Sequence, residues 1–221
     1  MDALLLTLKL AFFSTAILIV IATPIAWFLA HSQFKGKFLV EALIALPLVL
    51  PPTVLGFYLL IALGPQGPGG WIAQLWDERT LAFSFTGLLI GSIIYSLPFV
   101  VQPLQNGFSL IGKKPLEVAY TLNASFKDAW RTIIFPLAKS AYISAATLGF
   151  AHTLGEFGVV LMIGGNIPGE TQVISIKIFE HVEALQYNDA HIMSAILLSI
   201  SFVMLTVIYA SRKNANKAGM L

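Results

Sequence analysis

KKPLEVAYTLNASFKDAWRTIIFP, residues 113–136, carries start and stop signals for two short helices in succession. Pro115 suits a first helical position, and Glu117 then lies at the third, where a carboxylate favours the positive end of the helix dipole. Two turns follow, to about Leu122. Asn123 is among the few non-glycine residues that tolerate the left-handed conformation of a helix stop. Directly afterwards Ser125 and Asp128 form an S-x-x-D capping pattern, which starts a second helix running through Ile133. The product is an elbow of two helices. Leu116, Ala119, Tyr120 and Asn123 share one side of the first helix, while Val118, Leu122 and Phe126 form another. A helix this short is not stable alone in water, so one face must dock on the chain, leaving the other for a separate protein.

Outward from the elbow the sequence turns apolar. Hydrophobic residues make up 57% and charged residues 11% of the 221, too little polar surface to cover a soluble globule. Five apolar segments, roughly 4–30, 38–63, 82–104, 141–163 and 189–210, are each long enough to cross about 30 Å of hydrocarbon. The expectation is an all-α, polytopic helical bundle with five transmembrane helices, forming one domain over 1–221 with a cytoplasmic loop at about 105–140. Leu4 to Ala30 would span about 40 Å, too long for a signal peptide, and is read as a retained helix.

Ten of the thirteen basic residues fall in three stretches: Lys35 and Lys37; Lys113, Lys114, Lys127, Arg131 and Lys139; and Arg212, Lys213 and Lys217. Five spans put all three on one side and Asp2, Asp77, Glu78, Glu170, Glu180, Glu183 and Asp189 on the other. The positive-inside rule then sets the N-terminus outside and the C-terminus inside. Lys9 must snorkel outward from the first helix. With no cysteine, disulfides, thiolate metal sites and cysteine nucleophiles are excluded. A net charge of +2 gives no nucleic-acid reading.

Two outer loops differ in kind. Residues 64–80 read as a turn and a short surface helix that places Trp71 and Trp76 at the interface. Residues 164–188 begin with the turn-like GGNIPGE, after which Val173, Ile174, Ile178, Val182 and Leu185 recur at helical spacing, as in an amphipathic helix on the outer surface. Within the spans, Pro51 and Pro52 leave the carbonyls of Pro47 and Leu48 without helical donors. The expectation for LPLVLPPTVLGFYLL, residues 46–60, is a broken helix beside a pathway; a kinked helix packed on its neighbours is the plainer alternative.

The elbow resembles the cytoplasmic loop of permease subunits of ABC importers, whose pattern is E-A-A, three residues, G, nine residues, I, one residue, L-P. Glu117, Ala119, Ile133 and Pro136 fall in register; Val118 replaces an alanine, Asn123 the glycine and Phe135 the leucine. The resemblance implies the type I importer permease fold. It makes Glu117, Val118, Ala119, Leu122, Asn123, Ile133 and Pro136 the coupling segment that sits in a groove of the ATPase subunit. LPLVLPPTVLGFYLL and AHTLGEFGVVLMIGGNIPGET, residues 151–171, look like the molybdate permeases of this superfamily, and sulfate permeases share the E-F-G and G-N portions. The short chain and intact N-I-P-G-x-T favour molybdate, with tungstate, over sulfate or thiosulfate. The family further implies a permease homodimer, two ATPase subunits, an external solute-binding protein and a place in the bacterial cytoplasmic membrane.

No G-x-x-x-x-G-K-[ST] occurs, so ATP and Mg are expected on the partner ATPase and no cofactor on this chain. No Lys or Arg lies deep in a span, so the pathway for the oxyanion is expected to bind weakly. Glu156 is the deepest acid, and His152 one helical turn away could share a proton or hydrogen bond with it. Pro51, Pro52, Thr53, His152, Glu156 and Gly158 are the gate or pathway candidates; a polar clasp between helices is the alternative for the His–Glu pair. Asn166, Pro168, Gly169 and Thr171 are candidates for contact with the external partner. Glu41 is read as interfacial, and His152 and Glu156 lack a third metal ligand. Neither an ion-coupled secondary transporter nor an intramembrane enzyme accounts for the capped elbow.

Overall fold

The computed structural model describes residues 2–218, with side chains except those of Trp76 and 207–218. The interfacial role expected of Trp76, and the cytoplasmic cluster of Arg212, Lys213 and Lys217, lie outside the described side chains. Among the described residues every regular element is helical.

Helix α1, Asp2–His31, is a single unbroken span. The second apolar run divides into α2, Lys37–Val49, and α3, Pro52–Leu63, whose axes meet at 111°. The cause is local. A residue before proline is driven from the helical region, and Leu50 and Pro51, each preceding a proline, hold ψ of 135° and 134°. The expected broken helix at 46–60 is therefore present. A short helix α4, Pro68–Ala73, and one 3-10 turn fill the loop at 64–80, with Trp71 exposed.

Helix α5, Phe85–Ile111, is the central span. Ser84 caps it by accepting the Gly87 amide at 3.1 Å, and it continues through Pro98 and Pro103. The elbow comprises α6, Lys114–Thr121, and α7, Phe126–Ala129; a π-helical turn at Trp130–Ile134 then leads into α8, Phe135–Leu137. Next come α9, Lys139–Leu154, α10, Gly158–Gly164, α11, Ile174–Glu183, and α12, Tyr187–Ala218.

Among the described residues three helices are long and apolar enough to cross a membrane, and up to five segments are if each bent pair counts as one span. The fourth expected segment, 141–163, is corrected in form: α9 ends at Leu154, and Gly155 to Phe157 separate it from α10. Instead, α9 forms a bent pair with the segment 126–137 at 69°.

Directions follow from the contacts. Leu10 shares a buried cluster with Leu88, and Trp27 meets Phe108 at 5.2 Å, so α1 and α5 run parallel. Ala141 lies beside Gly107 while His152 reaches Ser96, so α9 runs back along them. Small residues permit this approach: a Cβ on Gly107 would come within 2.4 Å of Ala141 Cβ, and one on Gly149 within 2.7 Å of Val100. Close backbone packing of this kind is what associates helices where lipid is as apolar as leucine. The α1, α5 and α9 core buries Leu18, Ala22, Val100, Leu104, Phe108 and Ala145. In contrast α12 shows an apolar exterior, including Leu198 and Phe202.

Candidate functional site

In the elbow the capping signals act as their chemistry requires. Asn123 adopts φ 59°, and the Ser125 hydroxyl accepts the Asp128 amide at 3.2 Å. Thr132 turns its hydroxyl back to the Asp128 carbonyl. Helix α6 starts one residue earlier than expected, so Pro115 stands second and Glu117 fourth. Leu116 and Ala119 are buried in the main core with Ala129 and Ile134, which anchors the elbow to α1 and α5. Tyr120 and Asn123 do not join them: both are exposed, because the buried stripe of so short a helix is only two residues wide. Glu117, Val118, Leu122, Phe126 and Pro136 are exposed, and Ile133 is partly buried. Leu122, at 77% exposure, and Val118, at 59%, form an apolar surface beside the Glu117 carboxylate.

The second group surrounds the break between α9 and α10. A cavity of about 580 Å³ is lined by Pro52, Thr53, Tyr95, His152, Glu156 and Gly158, among others. Five of the six pathway candidates thus meet at one place, from α3, α9, the break and α10; Pro51 is instead the residue that caps α3. Close packing makes the meeting possible. Gly158 faces Pro52, where a Cβ would come within 2.7 Å, and Gly56 faces Met162 at the same distance.

His152 and Glu156 are not bonded to each other as expected. Their partners lie on α5: Ser96 Oγ is 2.9 Å from His152 Nδ1, and the Ser92 hydroxyl donates to Glu156 Oε2 at 2.7 Å. The helix ends between His152 and Glu156, so they are no longer one turn apart on one face. His152 stacks on Phe99 at 3.9 Å, which fixes its ring. Glu156 is 4% exposed, and its Oε1 has no hydrogen-bond partner among the described residues. Its carbonyl accepts the Ser175 hydroxyl at 2.6 Å, which satisfies a backbone group freed by the break. Ser92, Ser96 and Ser175 were missed from the sequence. Ser92 and Ser96 stand one turn apart on α5, but nothing in the sequence of either segment pairs them with His152 and Glu156.

The loop at 164–173 is tightly made. Thr171, 0% exposed, donates to the Gly164 carbonyl at 2.6 Å and accepts the Ile167 amide at 2.9 Å. Thr171 thus braces the loop from within. Asn166, at φ 58°, accepts from Gln172 Nε2, while Pro168 and Gly169 are exposed. Helix α11 is amphipathic, but its buried face is Val173, Ile174 and Ile176; Val182 and Leu185 are exposed. The reason is its anchor, where the Ile174 amide donates to buried Thr7 of α1. At the other end of the chain's spans, Gln105 Nε2 donates to Glu41 Oε1 at 2.7 Å, and Lys37 lies 3.6 Å from it. Lys9 rests over the Phe85 ring at 4.6 Å. Among the described residues no cluster of three His, Asp or Glu side chains could hold a metal.

The helical bundle thus carries a docked elbow and, at a helix break, a largely apolar cavity with a few polar groups in its wall. Residues 22–218 match the family described as "Binding-protein-dependent transport system inner membrane component", and the chain belongs to it. It is a transmembrane permease subunit of an ABC-type importer, a class of subunit that is not catalytic and leaves ATP hydrolysis to a separate chain. It is 54% identical over 218 residues to the "Molybdenum transport system permease protein ModB" of Azotobacter vinelandii, covering 99% of this chain and 96% of that one. To the "Probable sulfate transport system permease protein cysT" of Chlorella vulgaris it is 34% identical, covering 95% of this chain and 78% of that one. The fold is shared with a bacterial alginate ABC transporter solved in complex with its periplasmic protein. There the TM-score is 0.74 at 16% identity, covering 96% of this chain and 78% of that one.

Proposed function

We propose that the chain passes molybdate, and tungstate with it, across the bacterial cytoplasmic membrane as a homodimer driven by two ATPase subunits and supplied by an external solute-binding protein. The observation that carries the ATP-driven reading is the elbow. Its buried side joins the core while Val118, Leu122 and Phe126 stay exposed, as a handle for another protein requires. ATP binding draws the two elbows together and opens the outer side; hydrolysis returns the pair to the inward-open state.

In this reading the whole chain, 1–221, is one permease domain with its N-terminus outside and its C-terminus inside. The cavity of Thr53, His152 and Glu156 lies on the pathway. Its walls offer hydroxyl and imidazole groups and the Glu156 carboxyl but no Lys or Arg, so the ion is held weakly and released, as conduction demands. Pro168 and Gly169 on the outer loop meet the solute-binding protein. Substrate choice rests on similarity: 54% identity to a molybdenum permease against 34% to a sulfate one. A sulfate permease is the second reading, since that relative covers 95% of this chain.

The test is uptake of radiolabelled molybdate by the assembled transporter in liposomes, with tungstate or sulfate competing at equal concentration. Molybdate and tungstate should compete equally and sulfate weakly. Sulfate dominance would overturn the choice of substrate, and uptake without the ATPase would overturn the mechanism.

A further inference from the structure

We propose that one face of α1 holds an anionic phospholipid, with its phosphodiester on Lys127 and Arg131 and an acyl chain along Phe12, Ala16 and Ile19. Two separate cavities lie end to end there. One, of about 600 Å³, is lined by Thr23, Pro24 and Trp27 of α1 and by residues 125–128, 130 and 131 of the elbow. The other, of about 550 Å³, is lined by Phe12, Thr15, Ala16 and Ile19 of α1 with Ile143, Ala146 and Phe150 of α9. Phe12, Ala16, Ile19, Thr23 and Trp27 follow one another at steps of three or four, so a single helical stripe floors both cavities. From Phe12 to Trp27 the helix rises about 22 Å, enough for a headgroup and the chain of one leaflet in hydrocarbon about 30 Å thick.

The chemistry of the two cavities differs as the two ends of a phospholipid do. The α1–α9 cavity is almost wholly apolar. At the elbow cavity, Lys127 and Arg131 stand one helical turn apart, and among the described residues neither makes an ion pair. Asp128 lies between them, hydrogen-bonded by the Ser125 hydroxyl, which leaves two cations against one carboxylate. Trp27 and Trp130 meet edge to face at 4.7 Å, with Phe126 5.8 Å from Trp130, the aromatic composition of a membrane interface. Pro24, in the wall of the elbow cavity, is exposed, and Val20 on the same side of the helix is 72% exposed. A free phosphate would use only the basic end. A phospholipid of the negatively charged cytoplasmic leaflet uses both.

The test counts lipids on the assembled transporter by native mass spectrometry after exchange into phosphatidylcholine and titration with phosphatidylglycerol. One phosphatidylglycerol per permease chain should be retained. Lys127→Gln with Arg131→Gln should weaken that retention roughly 30-fold while leaving phosphatidylcholine binding as it was. Ala16→Trp, which fills the apolar cavity with both cations in place, should weaken it too, and Ala146→Leu serves if that variant does not assemble. Millimolar inorganic phosphate should not displace the lipid. The proposal fails if the double variant retains phosphatidylglycerol as the wild type does, if phosphatidylcholine is held equally, or if filling the groove has no effect. Displacement by free phosphate would equally overturn it in favour of a soluble anion.

Discussion

Ser92 and Glu156 show how much a single hydroxyl can matter inside a membrane. The carboxyl is nearly inaccessible and has one described donor, at 2.7 Å; losing a partner to a buried polar group costs about 1–3 kcal/mol. Ser92→Ala should therefore lower the unfolding temperature of the purified permease in detergent, and Glu156→Gln, which keeps an acceptor for the serine, should lower it less. Equal losses would show that the bond does not hold the break. Gly56 makes a steric counterpart. A β-carbon there would lie 2.7 Å from Met162 Cβ and 3.3 Å from Val159 Cα. Gly56→Val should part α3 from α10, reopen the cavity and abolish uptake, whereas substitutions at exposed Leu205 should leave uptake unchanged.

Between residue and bundle stands the elbow. Its cap is worth about 1 kcal/mol to the helix it starts, so Ser125→Ala should loosen α7 modestly, read as faster amide exchange over 126–129. Asn123→Gly keeps the left-handed stop and should be silent in the same measurement. Leu122→Asp acts differently, because the side chain touches little of its own molecule. It should abolish co-purification with the ATPase without changing membrane insertion or the unfolding temperature. Glu117→Lys should do the same, and retained co-purification by both would remove the elbow from the ATPase interface.

For the whole molecule the decisive property is sidedness. The parallel course of α1 and α5 requires that α2 and α3 together return the chain to the side from which α1 starts. As the chain has no cysteine, single substitutions report topology cleanly. Glu78→Cys should react with an impermeant maleimide added outside intact cells, and Lys113→Cys only after lysis. The reverse pattern would invert the proposed orientation while leaving the fold untouched.

Much of this was legible in the chain because its causes are local. Apolar runs mark the spans by length, consecutive prolines force an extended ψ before each, and Asn123 and Ser125 end and begin helices within a few residues of themselves. The meeting of Thr53, His152 and Glu156 was anticipated as a group but not as a geometry. Ser92 and Ser96 lie 64 and 56 positions from Glu156 and His152, and no periodicity of either segment shows the other. The break at 155–157 escaped notice for a related reason. Gly155 alone does not stop a helix; hydroxyls from α5 and α11 make the open conformation affordable in hydrocarbon. Sequence by itself determined what each segment is: span, elbow or turn. Tertiary structure alone decided which polar groups meet, and where two cavities align along α1, because those depend on side chains brought together only when helices pack.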